Sequence, residues 1–292
     1  MDTQFLRSFI AIADHGSMAA AARTLNLTPA AVAQQIRTLE REFGVSLIAR
    51  AGRTVGLTEQ GSRILERARA MLRDVADMRS VANDSDASGD LQLGACPTVL
   101  VGLVPDVLAR MVSRFPQSNV FIRPGYSADL YRAVESGELD AALVLEAPFP
   151  LPKTCGWEVL REEPLVVLAH ASLAGRDPHE LLAEQPLIRY DRNQWGGRQA
   201  DEYLHRHDIV PRERVELNAL NAIAAMVDRR LGVSLVPDWM RPWPEGLDLV
   251  RIPLPEPSEP RRIGLIWSRA SVRMRLVGAL REEAHEVARA ID

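Results

Sequence analysis

Between Ser17 and Phe43 the chain reads SMAAAARTLNLTPAAVAQQIRTLEREF, a pattern that leaves few choices: a short helix, a tight turn and a second helix. Ser17 suits the first N-cap, because its hydroxyl can accept an orphan backbone N–H. Asn26-Leu27 interrupts the helical pattern. Thr28 caps the second helix, and Pro29 fits its first position, where a missing N–H costs nothing. At about 100° per residue, Val32, Ile36, Leu39 and Phe43 fall on one side and Ala30, Gln34, Arg37 and Arg41 on the other. That second face is small and uncharged at its start and carries no carboxylate before Glu40. A helix of this kind can approach phosphates and base edges closely, with Gln reading adenine and Arg reading guanine or holding phosphate. The alternative reading is an alanine-rich helical bundle.

The surrounding sequence extends the motif. Asp2 or Thr3 can start an earlier helix through about His15, with Phe5, Leu6, Phe9, Ile10 and Ala13 as its stripe and Gly16 at its end. After Gly44, VSLIAR, AGR and TVGL read as a two-stranded ribbon with Arg50 and Arg53 at its tip. Beside a recognition helix such a ribbon is a wing that grips phosphate; alone it is a solvated hairpin. From Thr58 to about Val81 one long helix is expected. Its stripe, Ile64, Leu65, Ala68, Met71, Leu72, Val75 and Met78, is too long for a small domain to cover. A helix from a second copy would cover it; packing within one chain is the alternative. Asn83 to Asp90, NDSDASGD, reads as a hinge.

The ordered set Ala21-Ala22, Leu25, Thr28, Val32, Gln35-Ile36, Leu39-Glu40, Phe43-Gly44, Leu47, Arg50, Arg53, Leu57-Thr58 and Gly61 resembles the winged helix of the LysR-type transcriptional regulators. Three positions depart from it: Pro29 where the family often has Gln, Ala33 where it usually has Ser, and Ile48 for the usual Phe. The missing hydroxyl at Ala33 removes one expected contact. The resemblance implies an N-terminal all-α winged helix-turn-helix and long linker helix, joined to a two-lobed α/β effector domain like periplasmic binding proteins. DNA contacts are expected at Ser17, Thr28, Pro29, Ala30, Gln34, Arg37, Arg50 and Arg53. The expected boundaries are 1–60 for the DNA-binding domain, 61–89 for the linker helix and hinge, and 90–292 for the effector domain. Within the last, lobe 1 takes about 90–161 and 266–292, and lobe 2 about 162–265.

From Leu91 onward, strand-like runs alternate with helical ones, as a parallel α/β sheet requires. Strands are expected at LQLGA, NVFIR, LDAALV, PLVVLA, PLIRY, VELN, VSLVP and RRIGLIW. Helices are expected at about Val99–Phe115, Ala128–Ser136, Arg198–His207, Asn221–Arg230 and Val272–Ile291. The segment from APFPLP through Glu162 reads as a crossing between lobes. Ligands of open α/β sheets sit at the carboxyl ends of the strands, which selects Thr98, Ser127, Asn193, Gln194 and Asn221 for an anionic effector. Ser127 also matches a position the family uses, and capping is the alternative role for the two hydroxyls.

At 292 residues the chain is long enough for two or three domains. Net charge is −4, but residues through Gln60 carry six arginines against five carboxylates, a weakly basic end on an acidic body. No run approaches the roughly 20 apolar residues of a membrane span, and MDTQFLRSF lacks the basic flank of a signal peptide; a cytoplasmic location is expected. Cys96 and Cys155 show no metal-like spacing. There is no P-loop and no GxGxxG after a strand, and His205 and His207 do not share a helix face. No catalytic residue, metal site or cofactor is therefore expected beyond a small-molecule co-inducer or co-repressor. Expected partners are double-stranded DNA, a second copy in a homodimer or homotetramer, the effector and, at promoters, RNA polymerase, with no membrane. The competing reading is an enzyme or solute-binding protein with a helix-turn-helix look-alike.

Overall fold

The computed structural model describes residues 2–51, 54–82, 90–243, 246–256 and 258–291. The chain divides into two compact units, Met1–Ser85 and Asp86–Asp292.

The first unit contains α1 (Thr3–His15), α2 (Met18–Thr24), α3 (Pro29–Phe43), β1 (Ile48–Ala51), β2 (Thr54–Leu57) and α4 (Glu59–Ala82). Its helices start where the sequence chemistry says they should. Asp2 accepts from the Gln4 N–H, Ser17 from Ala20 and Thr28 from Ala31. Gly16 and Gly44 end α1 and α3 in the left-handed conformation, and Asn26 adopts it in the turn, as a residue with a short polar side chain can. Val32, Ile36 and Leu39 are buried against α1 and α2 together with Leu6, Phe9 and Ile12. Phe43 departs from the expected stripe: it is the last residue of α3, 43% exposed, and burial stops a turn earlier at Leu39.

Glu40 ties α3 to the ribbon. Its Oε1 accepts the N–H of Leu47 at 2.8 Å and of Ile48 at 3.2 Å. Gly61, in the first turn of α4, lies so close to the Leu47 carbonyl that a Cβ would sit 2.1 Å from its oxygen. Thr58 starts this helix by accepting the Gly61 N–H.

The stripe of α4 is split. Ile64, Leu65, Ala68 and Leu72 pack on the core of the unit, so its N-terminal half is covered within one chain. Met71 and Met78 stand 44% and 64% exposed. The expected hinge lies, up to residue 89, outside the described residues, as does Arg53; the side chain of Arg50 does so too.

The second unit runs β3 (Asp90–Ala95), α5 (Pro97–Gly102), α6 (Val104–Arg114), β4 (Asn119–Pro124), α7 (Ser127–Glu135), β5 (Ala141–Leu145), β6 (Cys155–Glu163), β7 (Leu165–His170), α8 (Pro178–Glu184), β8 (Pro186–Tyr190), α9 (Trp195–Arg206), β9 (Arg212–Leu217), α10 (Leu220–Asp228), β10 (Ser234–Pro237), β11 (Leu249–Pro253), β12 (Arg261–Ser268) and α11 (Met274–Ile291). Lobe 1 is a five-stranded sheet in the order β4-β3-β5-β12-β6. Lobe 2 holds the β10-β7-β11 sheet and the β8-β9 pair, linked by a parallel bridge between Leu187 and Val233.

Several expectations are corrected here. The lobe 1 sheet is mixed: β3, β4 and β5 are parallel, whereas β12 runs antiparallel to both β5 and β6. Residues 155–163 form an edge strand rather than a bare crossing, paired to β12 with an irregularity between Ile263 and Gly264. Because β12 pairs with β6 from Arg261 onward, lobe 1 resumes at 261, not at 266, and its first part ends at Glu163. The helix expected over 99–115 is two helices. Pro105, at the second position of α6, cannot donate to the preceding turn. Helix α8 and strand β11 had no place in the expected element series.

Candidate functional site

The two units each bring sequence-selected residues into one arrangement. In the first, Pro29, Ala30, Gln34, Arg37 and Arg41 are all exposed along α3, opposite the buried Val32–Ile36–Leu39 stripe. Gln34 and Arg37 are joined: Arg37 Nη2 donates to Gln34 Oε1 at 2.7 Å, with Nε at 3.3 Å. The two side chains thus form a linked, exposed pair. Ser17 and Thr28 serve as caps, and Ala33 is half-buried.

In the second unit a cleft lies between the lobes, its empty space about 480 Å³ with the solvent-open mouth included. Thr98 and Ser127 line it from lobe 1, and Gln194 from lobe 2. Ser127 is buried; its Oγ accepts the Leu145 N–H at 3.1 Å, and its O–H remains a donor. Asn193 and Asn221 do not reach the cleft. Asn193 is exposed and turned back onto Asp191, with Nδ2 to Oδ1 at 3.0 Å. Asn221 is exposed on α10, and Asn218, just before that helix, lines the cleft in its place.

The six-residue α5, whose first position Pro97 has no N–H, begins at the cleft, and so do three longer helices: α7, α9 and α10. None of their N-cap residues, Tyr126, Gln194 and Ala219, offers a side-chain acceptor to the first turn. A helix start leaves unpaired N–H groups and a partial positive charge, so all three present donors to a ligand. The start of α9 comes close to β8 because it is Gly196-Gly197. A Cβ on Gly196 would meet the Tyr190 hydroxyl at 2.6 Å, and one on Gly197 the Asp191 carbonyl oxygen at 1.9 Å. Trp195 forms the outer wall, edge-on to Tyr131 at 6.4 Å and Phe149 at 5.7 Å between ring centroids.

Arg261 was absent from the expected site. It is 2% exposed at the start of β12 and is the single charged side chain among the described residues lining the cleft. Its Nε donates to Glu163 Oε2 at 2.7 Å, and Nη2 reaches the same oxygen. Glu163, fully buried, uses Oε1 to accept the N–H of Met240, which packs in the lobe 1 core, at 3.0 Å. The remaining Arg261 contacts are long: Nη1 to the Tyr190 hydroxyl at 3.4 Å and Nη2 to Thr98 Oγ1 at 3.5 Å. Burial alone would lower the Arg261 pKa; the adjacent Glu163 carboxylate outweighs it and holds the guanidinium above its ordinary value. Burial pushes the Cys96 thiol and the Tyr190 phenol up, with Arg261 opposing in both cases. Cys96 is therefore held as a thiol, the less reactive form. Neither Arg261 nor Glu163 carries a local sequence signal, since 98 positions separate the partners.

Residues 3–62 match the family of bacterial regulatory helix-turn-helix proteins of the lysR type, and residues 84–289 match the LysR substrate-binding domain. The chain belongs to the LysR family of bacterial transcriptional regulators, which bind DNA through the helix-turn-helix and answer to small molecules in the substrate-binding domain; it is a regulator and not an enzyme. It is 28% identical over 240 residues to the transcriptional regulator CzcR of Bacillus cereus, covering 81% of this chain and 80% of that one. It is 30% identical over 150 residues to the hydrogen peroxide-inducible genes activator of Haemophilus influenzae, over 51% and 50% of the two chains. Its fold is similar to full-length OxyR from Pseudomonas aeruginosa, with TM-score 0.69 and 24% identity over 97% and 94% of the chains. CbnR in complex with its target DNA gives TM-score 0.68 and 23% identity, over 97% and 100%. No helix among the described residues is long and apolar enough to cross a membrane.

Proposed function

We propose that this regulator binds inverted-repeat promoter DNA as a dimer and is switched by a small anionic effector held between the lobes of the second unit. The observation that carries the effector reading is the convergence of three uncapped helix starts and Arg261 on one cleft. Each is a preorganised donor, and an anion satisfies them together. Thr98, Ser127, Gln194 and Asn218 supply neutral hydrogen bonds around it. An effector that bridges the lobes alters their angle, and a differential affinity of a few kcal/mol between two arrangements suffices to shift a regulator.

The exposed distal stripe of α4, Met71 and Met78, supports pairing with a second copy. Two copies present two α3 helices, so the target is a pair of half-sites in register with the DNA turn. Gln34 and Arg37 read base edges from the start of α3, and the ribbon grips the backbone. A titration of full-length protein against promoter DNA at several salt concentrations tests the DNA half. Log affinity must fall steeply with log salt, and Gln34→Ala with Arg37→Ala must abolish sequence preference. Unchanged preference in that double variant would remove the assignment. The effector half is tested by thermal shift of the full chain with small carboxylates, since a ligand of the native state raises its melting point. A hit whose shift survives Ser127→Ala with Gln194→Ala would place the effector elsewhere.

A further inference from the structure

The cleft contains its own counter-ion. Arg261 would make a general anion trap if it stood alone, but the buried Glu163 carboxylate offsets its formal charge from inside the wall; Arg161, whose Nε lies 3.9 Å from Glu163 Oε1, is not part of the cleft lining. What remains to balance a ligand is the partial charge of the helix starts. Each helix end carries about half a unit charge, so α7, α9 and α10 together supply roughly 1.5 units before solvent screening. The rest of the lining is apolar or aromatic: Leu145, Leu220, Tyr190 and Trp195 flank the polar groups.

We propose that the cleft is set for a ligand with one negative charge on a flat apolar body, and that Glu163 sets that number. This rests on the cleft being the effector site. A single carboxylate can replace the long Tyr190 and Thr98 contacts of Arg261 with charge-assisted bonds of about 2.7–2.9 Å and still meet the helix starts. A second carboxylate would enter a lining whose single full positive charge among the described residues is already matched, against leucine and tryptophan, where an unpaired ion is costly. A neutral analogue would leave the uncapped N–H groups without the anion that their dipoles favour. Arg261 is thus a ligand-contacting residue, and Glu163 is a positioning residue that acts through it. Glu163 also fixes the stretch after β10, because it holds Arg261 with one oxygen and the Met240 N–H with the other.

The test uses three probes of one shape and different charge: benzamide, benzoate and phthalate. Each is titrated into the full-length protein at constant ionic strength, by calorimetry and thermal shift. Wild-type protein should bind benzoate at least about tenfold tighter than either analogue, a difference of about 1.4 kcal/mol. E163Q removes the internal charge while keeping an acceptor, and should invert the order so that phthalate binds about tenfold tighter than benzoate. If E163Q does not fold, Asn218→Lys adds a positive charge from the opposite wall without touching the buried pair, and must give the same inversion. Phthalate matching benzoate in the wild type, an unchanged order in the variants, or no binding of any probe overturns the inference. Failure of the cleft reading itself is distinct: benzoate would bind, and Ser127→Ala with Gln194→Ala would leave that binding unchanged.

Discussion

Helices α1, α2 and α3 begin on Asp2, Ser17 and Thr28, each with its side chain folded onto the first turn. Helices α7, α9 and α10 begin on Tyr126, Gln194 and Ala219, and none of these does so. A side-chain cap contributes about 1 kcal/mol, and residues that provide one are plentiful in this chain; α8, away from the cleft, has Asp177 in that role. The N-terminal helices are complete within the chain, and what they offer DNA is the outward row of side chains. The cleft helices leave their backbone donors open, and what they offer is the backbone itself. One unit is built to be read from, the other to be filled.

The largest effect is expected where the cleft departs furthest from ordinary helix chemistry. Glu163→Ala leaves Arg261 buried without a partner and should cost about 3–5 kcal/mol in denaturant unfolding. Replacing both, Glu163→Met with Arg261→Met, should restore much of that loss. A small cost for the single variant would mean that water reaches the pair and the cleft wall is not dry. In the N-terminal unit, Gly61→Ala forces a Cβ onto the Leu47 carbonyl and should destabilise by about 1–3 kcal/mol, lowering DNA affinity through a displaced ribbon.

The sharpest test of the comparison is to give a cleft helix the cap it lacks. Gln194→Asp or Tyr126→Asp should stabilise the second unit by about 0.5–1 kcal/mol and weaken binding of any small carboxylate, a trade visible as a higher melting temperature with a smaller ligand-induced shift. Thr28→Ala should do the plain opposite in the first unit, a loss of about 1 kcal/mol with no gain elsewhere. If Gln194→Asp left both stability and binding unchanged, open helix starts would not be the distinguishing feature of the cleft.

The smallest effect concerns Glu158, a carboxylate the protein already holds with its own side chains. Burial acts to raise its pKa, but hydrogen bonds from Arg281 and His285 outweigh that and hold it below the ordinary carboxylate value. A depressed carboxylate stabilises the fold above its unfolded pKa and loses that contribution as pH falls through its folded one. Stability should therefore decline below about pH 4.3, and Glu158→Gln should flatten that acid limb slightly. The variant shows how little a solvated carboxylate site contributes beside a dry one.

How much of this was legible depended on range along the chain. Caps, proline positions and the left-handed Gly16 and Gly44 are local, and Ser17, Thr28 and Pro29 stand where their chemistry places them. The buried stripe of α3 follows from periodicity and failed only at the final residue, Phe43. The cleft was legible to the level of loops. The strand-end rule selects Thr98, Ser127 and Gln194, which line the cleft, but it carries no information on side-chain direction. Asn193 satisfies it and yet turns back onto Asp191. Arg261 and Glu163 escape because their meaning lies wholly in pairing across β12 and β6, and the sequence of β6 reads as a crossing.

The bond from Glu40 to the Leu47 and Ile48 N–H groups has a consequence for how such a regulator can change its target. It locks the ribbon to the far end of α3 through backbone donors that any residue at 47 or 48 other than proline retains. The outward side chains Ala30, Gln34 and Arg37 take no part in that lock or in the buried core. They are free to be exchanged for a different lettering without unsettling the frame that presents them. Retargeting by a few exposed substitutions on α3, with Glu40 untouched, is the route that the architecture leaves open to selection and to engineering alike.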